Sequence, residues 1–170
     1  MSPSQDELYE DAAKTFGPAL ERLTRACEAD PDKRQELLHE VHVALWRSFE
    51  RYEGRCSVRT WVYRVAHNVA ASHVARHRRA RSRLQVSLEY LDLADPVDHE
   101  RATDDRMALT RLLDLIQQLR APDAQLMLLY LEDLDSVAIG EIMGLSPGAV
   151  RVQIHRIKAV LKRRFHGEPS

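Results

Sequence analysis

Between residues 151 and 163 one helical stretch carries Arg151, His155, Arg156, Lys158, Lys162 and Arg163, and no acidic residue follows before Glu168. Guanidinium groups so placed bond guanine edges bidentately or clamp phosphate, while ammonium groups neutralise phosphate as point charges. The chemistry on offer is recognition of a polyanion. To use it, the stretch must be anchored along one side and project its N-terminal half. Val150, Ile154, Ile157, Leu161 and Phe165 recur at helical spacing and supply the buried stripe. Ser146 and Pro147 suit an N-cap and a first helical position, and Gly144 suits a left-handed turn residue. Upstream, residues 136–143 make a shorter helix that turns Ile139, Ile142 and Met143 to one side, with Gly140 small where the helices cross. The pattern is a helix-turn-helix whose second helix enters a major groove, its free N–H groups near phosphate. A plain helical hairpin with a solvated basic face is the alternative. Cap, turn glycine, small residue and stripe all falling in register favour the helix-turn-helix.

A second cationic stretch, HVARHRRARSR, holds five arginines between Arg76 and Arg83 and no acid. It continues a helix expected to bury Val58, Trp61, Val62, Val65 and Val69 and to show Arg64, Asn68, Ser72 and Arg76 on its other face. Continuity with Trp61 and Asn68 makes the run a strand-tracking surface for nucleic acid rather than a solubilising helix end. The loop at 52–57 has Gly54 at its tip and Ser57 placed to cap that helix. Two histidine pairs, His39/His42 and His73/His77, have ligand-compatible spacing on a helix. Neither shows a third ligand in the sequence, and the second pair lies among arginines that repel a cation. No metal site and no cofactor is expected. No nucleophile–base set or glycine-rich phosphate loop is visible either, so the chain is not read as an enzyme.

Composition fits a helical protein. The 170 residues are 44% hydrophobic but only 6% aromatic, and the net charge of −1 hides a strongly uneven distribution. Cys27 and Cys56 form no CxxC and no zinc spacing, so free thiols are expected. With no transmembrane run and no signal-peptide pattern, the expectation is a cytoplasmic protein without a membrane partner.

Residues 1–6 suggest a frayed start. Leu8, Ala12 and Phe16, then Leu20, Leu23 and Cys27, mark helix faces, with Gly17-Pro18 expected to bend or restart the helix. After the Asp30-Pro31-Asp32 turn, Leu38, Val41, Leu45 and Phe49 form the next stripe. Glu36, His39, Glu40 and Val43 lie on another side, either solvated or a docking face for a basic partner. Residues 85–105 are acidic, with Glu89, Asp92, Asp95, Asp98, Glu100, Asp104 and Asp105 answered by Arg101 alone. Thr103 or Asp104 then caps a helix with Leu109, Leu112, Leu113, Ile116 and Leu119 inward, and another follows with Leu126, Leu129 and Tyr130. The fold expected is all-α: two small helical bundles, residues 1–84 and 106–170, joined by an acidic flexible linker at 85–105.

Four stretches, in order, resemble the extracytoplasmic-function (ECF) sigma factors of bacterial RNA polymerase, in the sigma-70 family. Residues 9–23 resemble its first helix, and Glu36-Leu37-Leu38-His39-Glu40-Val41 through Leu45-Trp46 its core-polymerase-binding helix. Tyr52-Glu53-Gly54 with Arg59-Thr60-Trp61-Val62-Tyr63-Arg64 and Asn68 resembles its promoter-melting loop and helix, and residues 119–161 its promoter-distal domain. The resemblance implies docking on the clamp helices of the largest polymerase subunit through Glu36, His39, Glu40 and Val43. It implies opening of the minus-ten element by Tyr52, Arg55, Ser57, Trp61, Arg64, Asn68, Ser72 and Arg76. It implies binding of the minus-thirty-five element by Ser146, Gly148, Arg151, Val152, His155, Arg156, Lys158 and Lys162, with a touch on the polymerase flap. Promoter DNA and core polymerase are the implied partners, with an anti-sigma factor or other regulator as a further one. Arg34, Gln35, His39 and His42 depart from the family pattern of the docking helix and leave it fewer carboxylates. The competing reading is a stand-alone helix-turn-helix regulator, which binds DNA without polymerase.

Overall fold

The computed structural model describes residues 3–84 and 105–167, and these form seven helices and no strand. In chain order they are α1 (Gln5–Cys27), α2 (Pro31–Phe49), α3 (Val58–Leu84), α4 (Asp105–Gln117), α5 (Ala121–Leu131), α6 (Ser136–Met143) and α7 (Pro147–Phe165). The all-α expectation holds. The acidic linker at 85–105 lies outside the described residues except for Asp105, which begins α4, and so do Thr103 and Asp104.

The start of α1 is not frayed through Asp6. Ser4 Oγ accepts the Glu7 N–H, and the Glu7 carboxylate accepts the Ser4 N–H at 2.7 Å, a reciprocal cap that satisfies two orphan donors. Trp46 Nε1 donates to Asp6 at 2.8 Å and ties this end to α2. Nor does Pro18 break the helix: α1 runs 23 residues with the proline inside it. Losing one donor costs a helix some stability, but α1 packs on α2, α3, α4 and α5, and those contacts carry it through.

Asp30 caps α2 by accepting the Asp32 and Lys33 N–H groups. The buried row of α2 is Leu37, Val41, Leu45 and Phe49, an unbroken i+4 series that faces both α1 and α3; Leu38, expected in the stripe, is only half-buried. In α3 the buried line is likewise rotated from expectation. Val62, Tyr63, Ala66, Ala70 and His73 are buried, while Val58, Trp61, Val65 and Val69 are half-buried. The small Ala66 and Ala70 let α3 lie close to its neighbours, so the flanking valines only graze the core. Ser57 does cap this helix, its Oγ accepting the Thr60 N–H at 3.1 Å.

Leu113 and Ile116 of α4 are buried, but Leu109, near its free end, is exposed. Residues 124–129 of α5 are all buried, six in succession. A helix apolar on every side needs neighbours on every side, and α5 touches α1, α3, α4, α6 and α7. The N-terminal and C-terminal bundles therefore share one continuous core.

Polar contacts follow the same seam. Glu132, directly after α5, accepts from Arg22 at 2.7 Å and from the Tyr63 hydroxyl at 3.1 Å, and its carbonyl accepts from Arg59. Arg25 pairs with Asp114 at 3.3 Å, and Gln117 donates to the Arg25 carbonyl. Burial and the Glu132 charge push the Tyr63 phenol up, so it stays a donor. Both cysteines are free; burial pushes the Cys27 thiol up to about 12.

Candidate nucleic-acid interface

The helix-turn-helix forms as its caps dictate. Asp135 accepts the Val137 and Ala138 N–H groups to start α6, and Gly144 ends it in the left-handed region, φ 71°. Ser146 Oγ then accepts the Ala149 N–H at 3.1 Å and starts α7. The reason for Gly140 differs from the helix crossing expected. A Cβ there would sit 2.5 Å from the Leu145 carbonyl oxygen, so the turn's own backbone demands the glycine.

Val150, Ile154, Ile157 and Leu161 bury one side of α7. That leaves Ser146, Gly148, Arg151, Val152, His155, Arg156, Lys158 and Lys162 all exposed. Arg151 donates to Ser136 Oγ at 3.1 Å. Lys158 donates to the Tyr130 hydroxyl at 3.2 Å, 5.2 Å above that ring's centroid. With His155 these two line a hollow of about 380 Å³ that also includes Asp135, whose carboxylate is engaged with the α6 amides. Among the described residues no carboxylate pairs with a cation of α7.

The second candidate surface lies between α2 and α3. One open groove of about 1150 Å³ is lined by His39, Glu40 and Val43 from the docking set and by Trp61, Asn68 and Ser72 from the minus-ten set. The structure thus brings together two sets that the sequence treats separately. Trp61 donates to Ser48 Oγ at 2.9 Å and has Tyr52 against it, ring centroids 5.4 Å apart. Tyr52 in turn donates to the Cys56 carbonyl at 2.6 Å and so holds the loop. Arg47 also lines the groove. Sequence reasoning passed over it, although it continues the Val43 face at i+4.

Other members of the sets lie apart from the groove. Glu36 is exposed one turn earlier, Ser57 is occupied as a cap, and Arg55 pairs with Glu53 at 2.6 Å. Arg64 turns toward α6, where Glu141 stands 3.9 Å away, and Arg76 pairs with Glu40 at 2.7 Å. His42 is not part of an open docking face. Its Nδ1 meets the Tyr9 hydroxyl at 3.1 Å, and burial, with the neighbouring His39 charge, holds its pKa below the usual imidazole range.

A third cluster showed only part of itself in the sequence, as the His73/His77 pair. Glu28, 45 residues away, meets His73 Nε2 at 3.0 Å and supplies the third partner that the His73/His77 pair lacked.

Two family models match separate stretches of the chain. The model for Sigma-70 region 2 matches residues 13–80, and the model for Sigma-70, region 4 matches residues 109–161. The chain is 28% identical over 161 residues to the ECF RNA polymerase sigma factor SigC of Mycobacterium tuberculosis, covering 88% of this chain and 85% of the relative. It is 26% identical over 151 residues to the RNA polymerase sigma factor CarQ of Myxococcus xanthus, covering 88% and 84%. Among solved structures, RpoE bound to the anti-sigma factor NepR from Bartonella quintana superposes with a TM-score of 0.72 at 14% identity, covering 94% of this chain and 96% of that one. CnrH in complex with the cytosolic domain of CnrY gives 0.66 at 17%, covering 95% and 89%. Among the described residues no helix is long and apolar enough to cross a membrane.

Proposed function

The chain belongs to the sigma-70 family of transcription initiation factors, in its ECF branch; from that premise we propose that it docks on core RNA polymerase and reads both promoter elements with the two surfaces described. The family directs transcription initiation and is not a family of enzymes. In this reading residues 1–84 act as the region 2 domain, 106–170 as the region 4 domain, and 85–105 as the linker.

Glu36, His39, Glu40 and Val43 meet the clamp helices of the largest subunit. Trp61, Asn68 and Ser72 across the groove receive an unstacked base of the minus-ten element, since an aromatic wall accepts the face of any base. Tyr52, Arg55, Ser57, Arg64 and Arg76 follow the adjacent strand. The α7 row from Ser146 to Lys162 takes the minus-thirty-five element. The observation that carries this reading is the exposed α7 row, without a carboxylate partner among the described residues, on a helix whose entry is fixed by the Gly144 turn and the Ser146 cap. The protein acts in the cytoplasm, where its polymerase is. The solved neighbours RpoE and CnrH are each held by another protein, and a regulator of that kind is proposed as the control on this one.

In vitro transcription with purified core polymerase tests the reading. Promoter-specific transcripts that need this protein are expected. Footprints on promoter DNA without core would instead favour a stand-alone regulator. A pull-down tests the docking face: Glu36→Arg plus Glu40→Arg is expected to lose most core polymerase while its helical circular dichroism stays unchanged. Undiminished recovery of core by that double variant would remove the assignment.

A further inference from the structure

We propose that Glu28, His73 and His77 form a site for a divalent transition-metal ion, zinc(II) by preference, that clips the end of α1 to the middle of α3. One ligand atom from each of the three lies within 4.8 Å of the other two. One pair, His73 Nε2 and Glu28 Oε2, is 3.0 Å apart, near the ~3.3 Å edge of a tetrahedron with bonds of ~2.0 Å. Two imidazoles and one carboxylate, with a fourth position left to water, suit zinc and its neighbours rather than calcium or magnesium, which take oxygen donors.

A buried Glu–His pair alone would explain Glu28 and His73 but leaves two observations over. The first is His77. Its ring lies 4.1 Å from that of His73, and its Nδ1 is 3.0 Å from the His73 carbonyl oxygen. A carbonyl only accepts, so in the neutral ring Nδ1 carries the hydrogen and Nε2 keeps its lone pair. A backbone carbonyl fixing the tautomer in this way is the usual outer support of a metal-binding histidine. The second is His73 itself, 2% exposed, whose Nδ1 has no protein partner. Among the described residues nothing on Nδ1 fixes the His73 tautomer, so Nε2 is able to present a lone pair to an ion beside Glu28 Oε2.

The surroundings also suit a cation. Glu28 Oε1 accepts the Asp30 N–H at 3.0 Å, which orients the carboxylate and leaves Oε2 facing His73. Two guanidinium groups among the described residues have other partners: Arg34 donates to the Glu28 and Ala29 carbonyls, and Arg76 to Glu40. His77 is half-buried and leaves an entry path. A metal here would fix α3 against α1 one turn before the second half of the arginine run.

The test uses the full-length protein stripped with a chelator and titrated with zinc(II) by calorimetry, with cobalt(II) as a visible-absorption probe. One equivalent is expected to bind, giving the d–d bands of a low-coordinate cobalt ion and a thermal midpoint that rises with zinc. His77→Gln and Glu28→Gln, both at positions that reach solvent, should each weaken binding by more than the ~10–100-fold that loss of an outer-shell partner costs. His166→Gln, at the far end of α7, should leave binding unchanged. Absence of saturable binding at micromolar zinc, or wild-type affinity in His77→Gln, overturns the site.

Discussion

The two cationic surfaces differ in what their charges already hold. Every arginine of the candidate minus-ten set has a carboxylate partner: Arg55 has Glu53, Arg64 has Glu141 and Arg76 has Glu40. On α7 the polar partners of Arg151 and Lys158 are neutral hydroxyls, of Ser136 and Tyr130. A compensated cation must give up a partner to take a phosphate, whereas an uncompensated one keeps its whole attraction. Exposed ion pairs are worth only about 0–1 kcal/mol, so compensation tunes the α2–α3 surface without closing it. Arg64 is the special case, because Glu141 belongs to α6 and so to the other half of the molecule.

The largest expected effect falls on the seam that makes such cross-pairing possible. Glu132→Ala strips Arg22 and Tyr63 of their shared acceptor and leaves a buried phenol unpaired, at a cost of about 1–3 kcal/mol in urea unfolding. An unchanged midpoint would show that the Glu132 carboxylate does not help to hold the halves together.

Next comes the open surface. Arg151→Ala is expected to lose about 1–3 kcal/mol of discrimination at one base pair and to reorder a promoter-variant library. Lys162→Ala should scale every promoter down and lower the salt slope by about one unit. If Arg151→Ala keeps the wild-type ranking, the reading face of α7 has been misplaced.

A smaller effect concerns acid. Burial holds the His67 imidazole below its ordinary range, as burial and His39 do for His42, so the folded protein binds fewer protons than the unfolded chain near neutrality. Their contribution is present above the unfolded pKa of about 6.5 and is lost as pH falls from there through the lower folded values. The urea midpoint should therefore drop between about pH 7.5 and pH 5.5, and less so in His67→Gln. Both residues lie on the α2–α3 side, so an equal drop in that variant would put the sensitivity elsewhere.

The smallest effect sharpens the comparison most directly. Glu141→Gln should change stability by less than about 1 kcal/mol while strengthening promoter binding by the holoenzyme at low salt more than at high salt. Equal affinity at every salt would mean that Arg64 does not face DNA.

Local signals were legible wherever one helix carried its own instructions. Gly144, Ser146 and the Val150-to-Leu161 stripe specify α6 and α7 from within a short span, and the structure has them as expected. Stripe positions were less secure where a helix faces two neighbours. Leu37 replaces Leu38 because α2 is wedged between α1 and α3; Leu37 lies four residues and Leu38 three before Val41, so helical spacing admits either. Pro18 does not restart the helix, because the packing of the whole of α1 outweighs one missing donor. Nothing local announces that Glu132 will meet Arg22 across 110 residues, or that Glu28 will meet His73. The candidate residues were nameable one by one, but their sharing of a groove was not, since that depends on how α2 and α3 cross.

Residues 124–129, buried on every side and in contact with both halves, also bear on the order of synthesis. The side of α1 that α5 covers leaves the ribosome long before α5 does. The stretch of about 47 residues from Leu84 to Leu131 takes roughly 2–10 s at about 5–20 residues per second. For those seconds the N-terminal helices are complete in sequence but bare along one flank, and that is when a nascent-chain chaperone has its apolar surface to hold.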